Sequence, residues 1–145
     1  MTEIKEAELS SVDAIVGIEN SSFTCPWSEK SFNDAISSDK IDVYTVETDG
    51  EICGFYCLMI INEEAELLNI AVAASHRRQG LGDKLMTHAL SLAKSSGVKA
   101  VYLEVRESNT PARRLYEKYG YTALGVRKNY YAYPRENAVI MQKQL

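Results

Sequence analysis

The chain has 145 residues, 46% of them hydrophobic and 25% charged, with a formal net charge of −4 at pH 7. This length and balance suit one globular domain over residues 1–145 with a real core. The same figures exclude broad nucleic-acid binding, which needs clustered Lys and Arg, and no apolar run approaches the roughly 20 residues of a transmembrane helix.

The segment Met1–Glu6 is polar and acidic, so it does not read as a secretory signal. Residues 3–9 suit a first strand. Ser10 and Ser11 are candidate caps for a helix whose apolar positions Val12, Ile15, Val16 and Ile18 recur at helical spacing. Pro26-Trp27-Ser28 interrupts the chain, and Ser28 can cap a second helix to about Ser37. Residues 41–47 and 51–61 read as strands joined at Thr48-Asp49-Gly50, Asp-Gly being a strong hairpin signal. Residues 65–72 form the next strand and lead into Arg77-Arg78-Gln79-Gly80-Leu81-Gly82 and a helix from about Asp83 to Ser96. Ser96-Gly97 is a stop signal, residues 100–105 are β-rich, and Asn109-Thr110-Pro111 opens a helix that ends at Tyr119-Gly120. Residues 121–128 and 138–142 close the chain as a strand pair around a loop over 129–137. The order is βααβββαβαββ, which predicts an α/β fold with a mixed, mostly antiparallel sheet and helices on both faces.

A strand that feeds a Gly-containing loop and then a helix is a ready anion site. The first helical N–H groups lack intrahelical partners, and the helix dipole favours negative charge there. Gly80 and Gly82 allow close approach to the backbone, and Arg77 and Arg78 add fork-shaped donors. The triphosphate-binding loop is excluded because its Lys-Ser/Thr is missing, and the dinucleotide fingerprint is excluded because Leu85 stands where it needs a third glycine. An ordinary glycine-rich helix entry is the alternative to a pyrophosphate cradle.

The residual pattern Arg/Gln-x-x-Gly-x-Gly/Ala at this junction is similar to that of the GCN5-related N-acetyltransferases (GNAT), and the topology resembles theirs over essentially the whole chain. Asn69-Ile70-Ala71-Val72, Leu103-Glu104-Val105-Arg106, Ser108-Asn109, Leu115-Tyr116 and Tyr119-Gly120-Tyr121 resemble the RimI branch, which acetylates ribosomal-protein N-termini. Pro26-Trp27-Ser28 and Asn129-Tyr130-Tyr131 strengthen that match.

The resemblance implies acetyl-CoA as cosubstrate, with no metal. Backbone contacts would come from Ile70, Ala71 and Val72, a pyrophosphate site from Arg77, Arg78, Gln79, Gly80, Leu81, Gly82 and Asp83, and a pantetheine contact from Asn109. It implies Glu104 as general base and Tyr116 as general acid. Trp27, Tyr130 and Tyr131, expected in loops, would flank the peptide N-terminus. Each residue also has a bland reading. Asn109 is a good helix cap, Tyr116 fits a core stripe with Ala112, Leu115 and Tyr119, Glu104 suits a polar strand face paired with Arg106, and the aromatics suit core closure. Asp83 departs from the family pattern, because an acid there would repel pyrophosphate.

The expected partner is a protein N-terminus, that of the small-subunit ribosomal protein eighteen, by direct transfer in a ternary complex. Lysine or small-molecule acetylation and a non-catalytic acyl-CoA-binding module are the alternatives. Three cysteines suit a reducing cytoplasm rather than a disulfide framework. Cys53 and Cys57 are placed on one strand face, about 13 Å apart, and Cys25 is a packed or surface thiol. His76 is placed near the phosphates and His88 on a helix surface, neither in a hydrolase triad nor a zinc site. No oligomeric state is legible, and a monomer is compatible.

Overall fold

A computed structural model describes residues 1–145. The elements in chain order are β1 (Thr2–Glu6), α1 (Val12–Ser22), α2 (Glu29–Ser37), β2 (Ile41–Thr48), β3 (Glu51–Ile61), β4 (Glu64–Val72), α3 (Leu81–Ser95), β5 (Ala100–Arg106), α4 (Thr110–Lys118), β6 (Thr122–Ala132) and β7 (Arg135–Gln144), with short 3-10 turns at Leu9–Ser11 and Ala74–His76. The seven strands form one sheet in the order β1-β2-β3-β4-β5-β7-β6. Only the central β4–β5 pair is parallel, as expected where a helix makes the crossover.

The sheet is sandwiched. Leu81, Leu85, Met86, Ala89 and Ala93 of α3 pack with Tyr56, Leu58, Leu67, Val101 and Leu103 on one face. Val12, Ile15 and Ile18 of α1, with Phe32 and Ala35 of α2, pack with Val43, Phe55, Cys57 and Ala71 on the other. Period-2 alternation on β5 sends Val101, Leu103 and Val105 into the α3 core and leaves Tyr102, Glu104 and Arg106 half-buried on the α1/α2 face. The β2–β3 turn has Asp49 and Gly50 at φ 52° and 84°, the left-handed pair that the Asp-Gly signal implies.

Several local expectations give way. β1 ends at Glu6, and Ser11 makes no side-chain cap to α1; its hydroxyl accepts instead from the Glu8 N–H at 3.1 Å. Helix α3 begins at Leu81, two residues before the expected start. The loop expected over 129–137 is mostly strand, because a bulge around Asn129 (φ 54°) absorbs the turn-like residues and pairing resumes at Tyr131↔Glu136. Cys53 and Cys57 lie on opposite faces. Cys53 is the extra residue of a β3 bulge opposite Val46/Glu47, which inverts the alternation between them. His88 is half-buried, its Nδ1 2.8 Å from the Tyr56 hydroxyl and its ring 4.6 Å from that of Tyr44; burial lowers its pKa.

Candidate active site

The site begins where the sheet comes apart. β4 and β5 pair only at Glu64↔Ala100, Ala65↔Val101 and Glu66↔Tyr102. Beyond that point a cleft of about 150 Å³ opens between Leu67–Ile70 and Leu103–Arg106, with Tyr116, Asn109 and Tyr131 on its walls. It continues into a groove of about 430 Å³ lined by Ile70, Ala71, Val72, Arg77, Gly82 and Asn109, with Tyr116 common to both. One slot therefore runs from the centre of the sheet to the N-terminus of α3.

At that end the helix start is left open. Gly80 sits at the N-cap with φ 74° and gives no side-chain cap, so the first N–H groups of α3 keep their donor capacity. A Cβ at Gly82 would meet only Leu115 Cδ2, at 3.9 Å. Arg78 shares the left-handed backbone at φ 63°, and Arg77 Nε donates to the Val72 carbonyl at 3.2 Å. Leu81 points into the core, leaving only its backbone for a ligand. Asp83 does not face the loop unopposed. Its Oδ1 accepts from Lys118 Nζ at 2.8 Å and from the Tyr119 hydroxyl at 2.7 Å, and these two bonds hold its carboxyl below the ordinary range.

Asn109 fills both of its sequence readings. Its Oδ1 accepts the Ala112 N–H at 3.3 Å as the cap of α4, while the residue lines the slot. Tyr116 is likewise both core and wall: it is buried beside Tyr121, ring centroids 5.8 Å apart. Burial, helped by nearby Tyr131, pushes its phenol up to about 12. Glu104 pairs with Arg127 Nε at 3.4 Å, not with Arg106, and its Oε2 is buried without a hydrogen-bond partner. It stands between the cleft and a larger hollow of about 730 Å³ that also carries Glu63, Glu64 and Glu66.

Of the three aromatics, only Tyr131 reaches the cleft. Tyr130 is half-exposed on β6, edge-on to Tyr131 at 5.1 Å. Trp27 lies in a loop, but its ring packs on Phe32 at 5.4 Å with the α1/α2 core. Phe23 lines both cleft and groove instead, and the sequence offered no signal for it.

Three polar residues near the slot, Arg106, Glu19 and Asn69, were not among the site residues expected from the sequence. Arg106 donates to the carbonyls of Tyr133 (2.9 Å) and Pro134 (3.0 Å), to Thr24 Oγ1 (3.2 Å) and to Glu136 (3.3 Å), and lies 4.2 Å over the Tyr131 ring. It ties the loop after α1 to the β6–β7 turn across the mouth of the cleft. Glu19 on α1 is almost fully buried; it accepts from the Trp27 N–H at 2.9 Å and from Asn69 Nδ2 at 3.0 and 3.2 Å, and burial raises its pKa. The legible signal was a Glu on the Ile15/Ile18 stripe and an Asn inside the apolar run Leu67–Val72.

Comparison with known proteins agrees with this geometry. Residues 12–121 match the model of the acetyltransferase (GNAT) family. The chain is 35% identical over 143 residues to the ribosomal protein bS18-alanine N-acetyltransferase of Escherichia coli, covering 97% of this chain and 96% of that one. A Bacillus subtilis protein bearing the same name provisionally is 37% identical over 139 residues, covering 95% and 92%. The crystal structure of the Escherichia coli enzyme superposes with a TM-score of 0.93 at 34% identity over 99% of this chain and 94% of that one. The protein belongs to the acetyltransferase (GNAT) family and is an N-acetyltransferase.

Proposed function

We propose that this protein transfers the acetyl group of acetyl-CoA to the α-amine of a protein N-terminus, the N-terminal alanine of ribosomal protein bS18. The single observation that carries the reading is the continuous slot from the open N-terminus of α3 to Glu104 and Tyr116, in a chain related to named bS18-alanine acetyltransferases over nearly its full length. The residues fit the cosubstrate. Free N–H groups of α3 and Arg77 and Arg78 suit the pyrophosphate, and the splayed edge of β4 at Ile70–Val72 suits an extended pantetheine arm.

In this reading the α-ammonium gives a proton to Glu104, and the neutral nitrogen attacks the thioester carbonyl carbon. A nitrogen–carbon bond forms, the carbon–sulfur bond breaks and CoA leaves as thiolate; the second proton, which the nitrogen sheds on becoming an amide, passes to that thiolate, so CoA is released as the thiol. Neutralising an α-amine of pKa about 8 at pH 7 costs about 1.4 kcal/mol, against about 4.6 kcal/mol for a lysine near 10.4. A carboxylate is a weak base for either, so the α-amine is the easier substrate. Tyr116 donates to the departing sulfur. A phenol held near 12 is a weaker acid than a thiol of pKa about 8.5; it serves as a fixed hydrogen-bond donor to the thiolate more than as a source of a fully transferred proton. A ribosomal-protein substrate supports the cytoplasm as the compartment of the reaction.

The test is intact-mass analysis of an Ala-initiated bS18 peptide incubated with acetyl-CoA, beside a lysine peptide with a blocked N-terminus and a polyamine. Acetate on the α-amine alone is the expected outcome. Acetylation confined to lysine or polyamine, or absent throughout, overturns the proposal.

A further inference from the structure

The wall of the cleft opposite Glu104 is made by β4, and β4 is irregular there. Cys57 pairs with Asn69 and Leu58 with Leu67, so Leu68 is an extra residue in a bulge. Without the bulge, three steps from Glu66 would reverse the side-chain direction. With it, Asn69 falls on the same α1/α2 face as Glu66. It also stands one pleat period beyond the last paired level, Glu66↔Tyr102, the same level that Glu104 occupies on β5. Asn69 and Glu104 thus flank the mouth of the splay from its two strands, and both line the cleft.

The two side chains share a second property. Asn69 is 8% exposed and its Oδ1 has no hydrogen-bond partner; Glu104 Oε2 is buried and unpartnered as well. A buried acceptor without a donor destabilises the fold, and two of them across one narrow cleft call for a ligand rich in N–H donors. The orientation of the Asn69 amide is fixed from behind. Both Glu19 oxygens accept from Nδ2, and an ionised carboxylate can only accept, so the carbonyl end is directed away from Glu19. The same carboxylate holds the Trp27 N–H, which ties the amide to the loop after α1.

We propose that Asn69 is a substrate-binding residue whose side-chain carbonyl accepts an N–H of the incoming α-amine opposite Glu104, with Glu19 as the positioning residue that keeps that carbonyl turned into the cleft. An α-ammonium has three N–H donors. One bond to Glu104 and one to Asn69 hold the nitrogen at the mouth of the cleft; when Glu104 takes its proton the lone pair forms on the axis of that bond, and the Asn69 carbonyl keeps the neutral amine in place as it turns the lone pair to the thioester. A secondary ammonium has two N–H donors, so both are engaged by these contacts and none is left over. The inference rests on the proposed α-amine acetylation.

The test uses the full chain with an Ala-initiated peptide and acetyl-CoA. Asn69→Ala is expected to lower kcat/KM for the peptide by about 10- to 100-fold, the loss of a hydrogen bond to a charged group, with KM for acetyl-CoA within about twofold of wild type. Glu19→Gln, which can present an NH₂ to Asn69 and let its amide turn, is expected to raise peptide KM several-fold without lowering Tm. Should Asn69→Ala fail to fold because it strands the Glu19 charge, the double variant Asn69→Ala/Glu19→Gln carries the same expectation. An Asn69 variant with wild-type peptide kinetics, or one whose acetyl-CoA and peptide constants and Tm all decline together, overturns the assignment while α-amine acetylation stands. A wild-type protein that acetylates no α-amine removes the reaction and this residue's role together.

Discussion

The Tyr119 hydroxyl donates to Asp83 Oδ1 at 2.7 Å, which joins the first turn of α3 to the end of α4. Lys118 Nζ reaches the same oxygen at 2.8 Å. The carboxylate that looked hostile to a pyrophosphate is thereby compensated on the side of α4. Asp83→Asn is expected to change CoA affinity by less than about threefold and to lower stability by no more than about 1 kcal/mol, as for an exposed pair. Calorimetric titration with CoA checks this, and a gain in affinity of tenfold or more would mean that the Asp83 charge acts on the site uncompensated.

Gly80 separates binding from folding. Its φ of 74° lies in the left-handed region, yet an added Cβ would meet nothing within 4 Å. Gly80→Ala is therefore expected to fold, with a cost of about 1–2 kcal/mol for the backbone conformation alone. The methyl group would stand where a phosphate must approach the helix start, so CoA affinity is expected to fall by more than about tenfold. Thermal unfolding and CoA titration on one sample check both halves.

Tyr116→Phe isolates the hydroxyl from the packing, since the ring against Tyr121 is retained. We expect kcat to drop about 10- to 100-fold, at the lower end of acid–base contributions because the phenol is a poor acid, with both KM values within about threefold. Burial holds the wild-type phenol near 12. Its folded pKa lies above the ordinary value of about 10, so the proton stays on as pH rises and kcat is expected to show no decline from Tyr116 ionisation below about pH 10. Unchanged turnover in the Phe variant would remove the hydroxyl from the reaction.

Much of this frame was legible because its signals are local. Ser28 caps α2 by accepting the Ser31 N–H, Asp49-Gly50 turns the β2–β3 hairpin, and Gly97 and Gly120 stop helices with φ of 83° and 89°. The failures come from bulges. The single-residue shifts at Cys53 and Leu68 change which face a side chain joins, the two-residue shift around Asn129 turns an expected loop into strand, and no window of sequence encodes the partner strand that makes them. The site divides in the same way. Glu104 and Tyr116, which line the cleft, were named from motif spacing, whereas the Glu19–Asn69 contact and those of Arg106 join residues 27 to 82 apart in sequence. Trp27 had two sequence readings, flanking the peptide and closing the core, and only the tertiary structure shows Phe32 beneath its ring.

Arg106 gives a prediction about substrate rather than cofactor. Its guanidinium joins Thr24, Tyr133, Pro134 and Glu136, so truncation frees the two segments that frame the mouth of the cleft. Arg106→Ala is expected to raise peptide KM by about tenfold, the scale of one to two lost charge-assisted hydrogen bonds, and to leave KM for acetyl-CoA near wild type. Arg106→Lys is expected to recover little, because one ammonium cannot span the four acceptors with the planar fork. Equal losses toward both substrates would mean that Arg106 supports the fold as a whole.

Glu19 links the site to stability through pH. Burial raises its pKa in the folded state, whereas in the unfolded chain it is an ordinary glutamate near 4.3. The native state therefore binds the proton more tightly, and stability associated with this group is full below the unfolded pKa and is lost as pH rises through the folded one. Glu19→Gln has nothing to ionise. Its loss of one carboxylate acceptor toward Trp27 or Asn69 is a fixed offset at every pH. The variant's unfolding free energy relative to wild type is expected to rise as pH increases from about 4.5 and then to level off above the folded pKa. Urea unfolding of both proteins from pH 4.5 to 8 measures that difference, and shared effects of other carboxylates, such as Asp83 and Glu136 with their lowered values, cancel in it. A difference that is flat, or that falls with pH, would show that the native state does not hold a proton on Glu19 more tightly than the unfolded chain does.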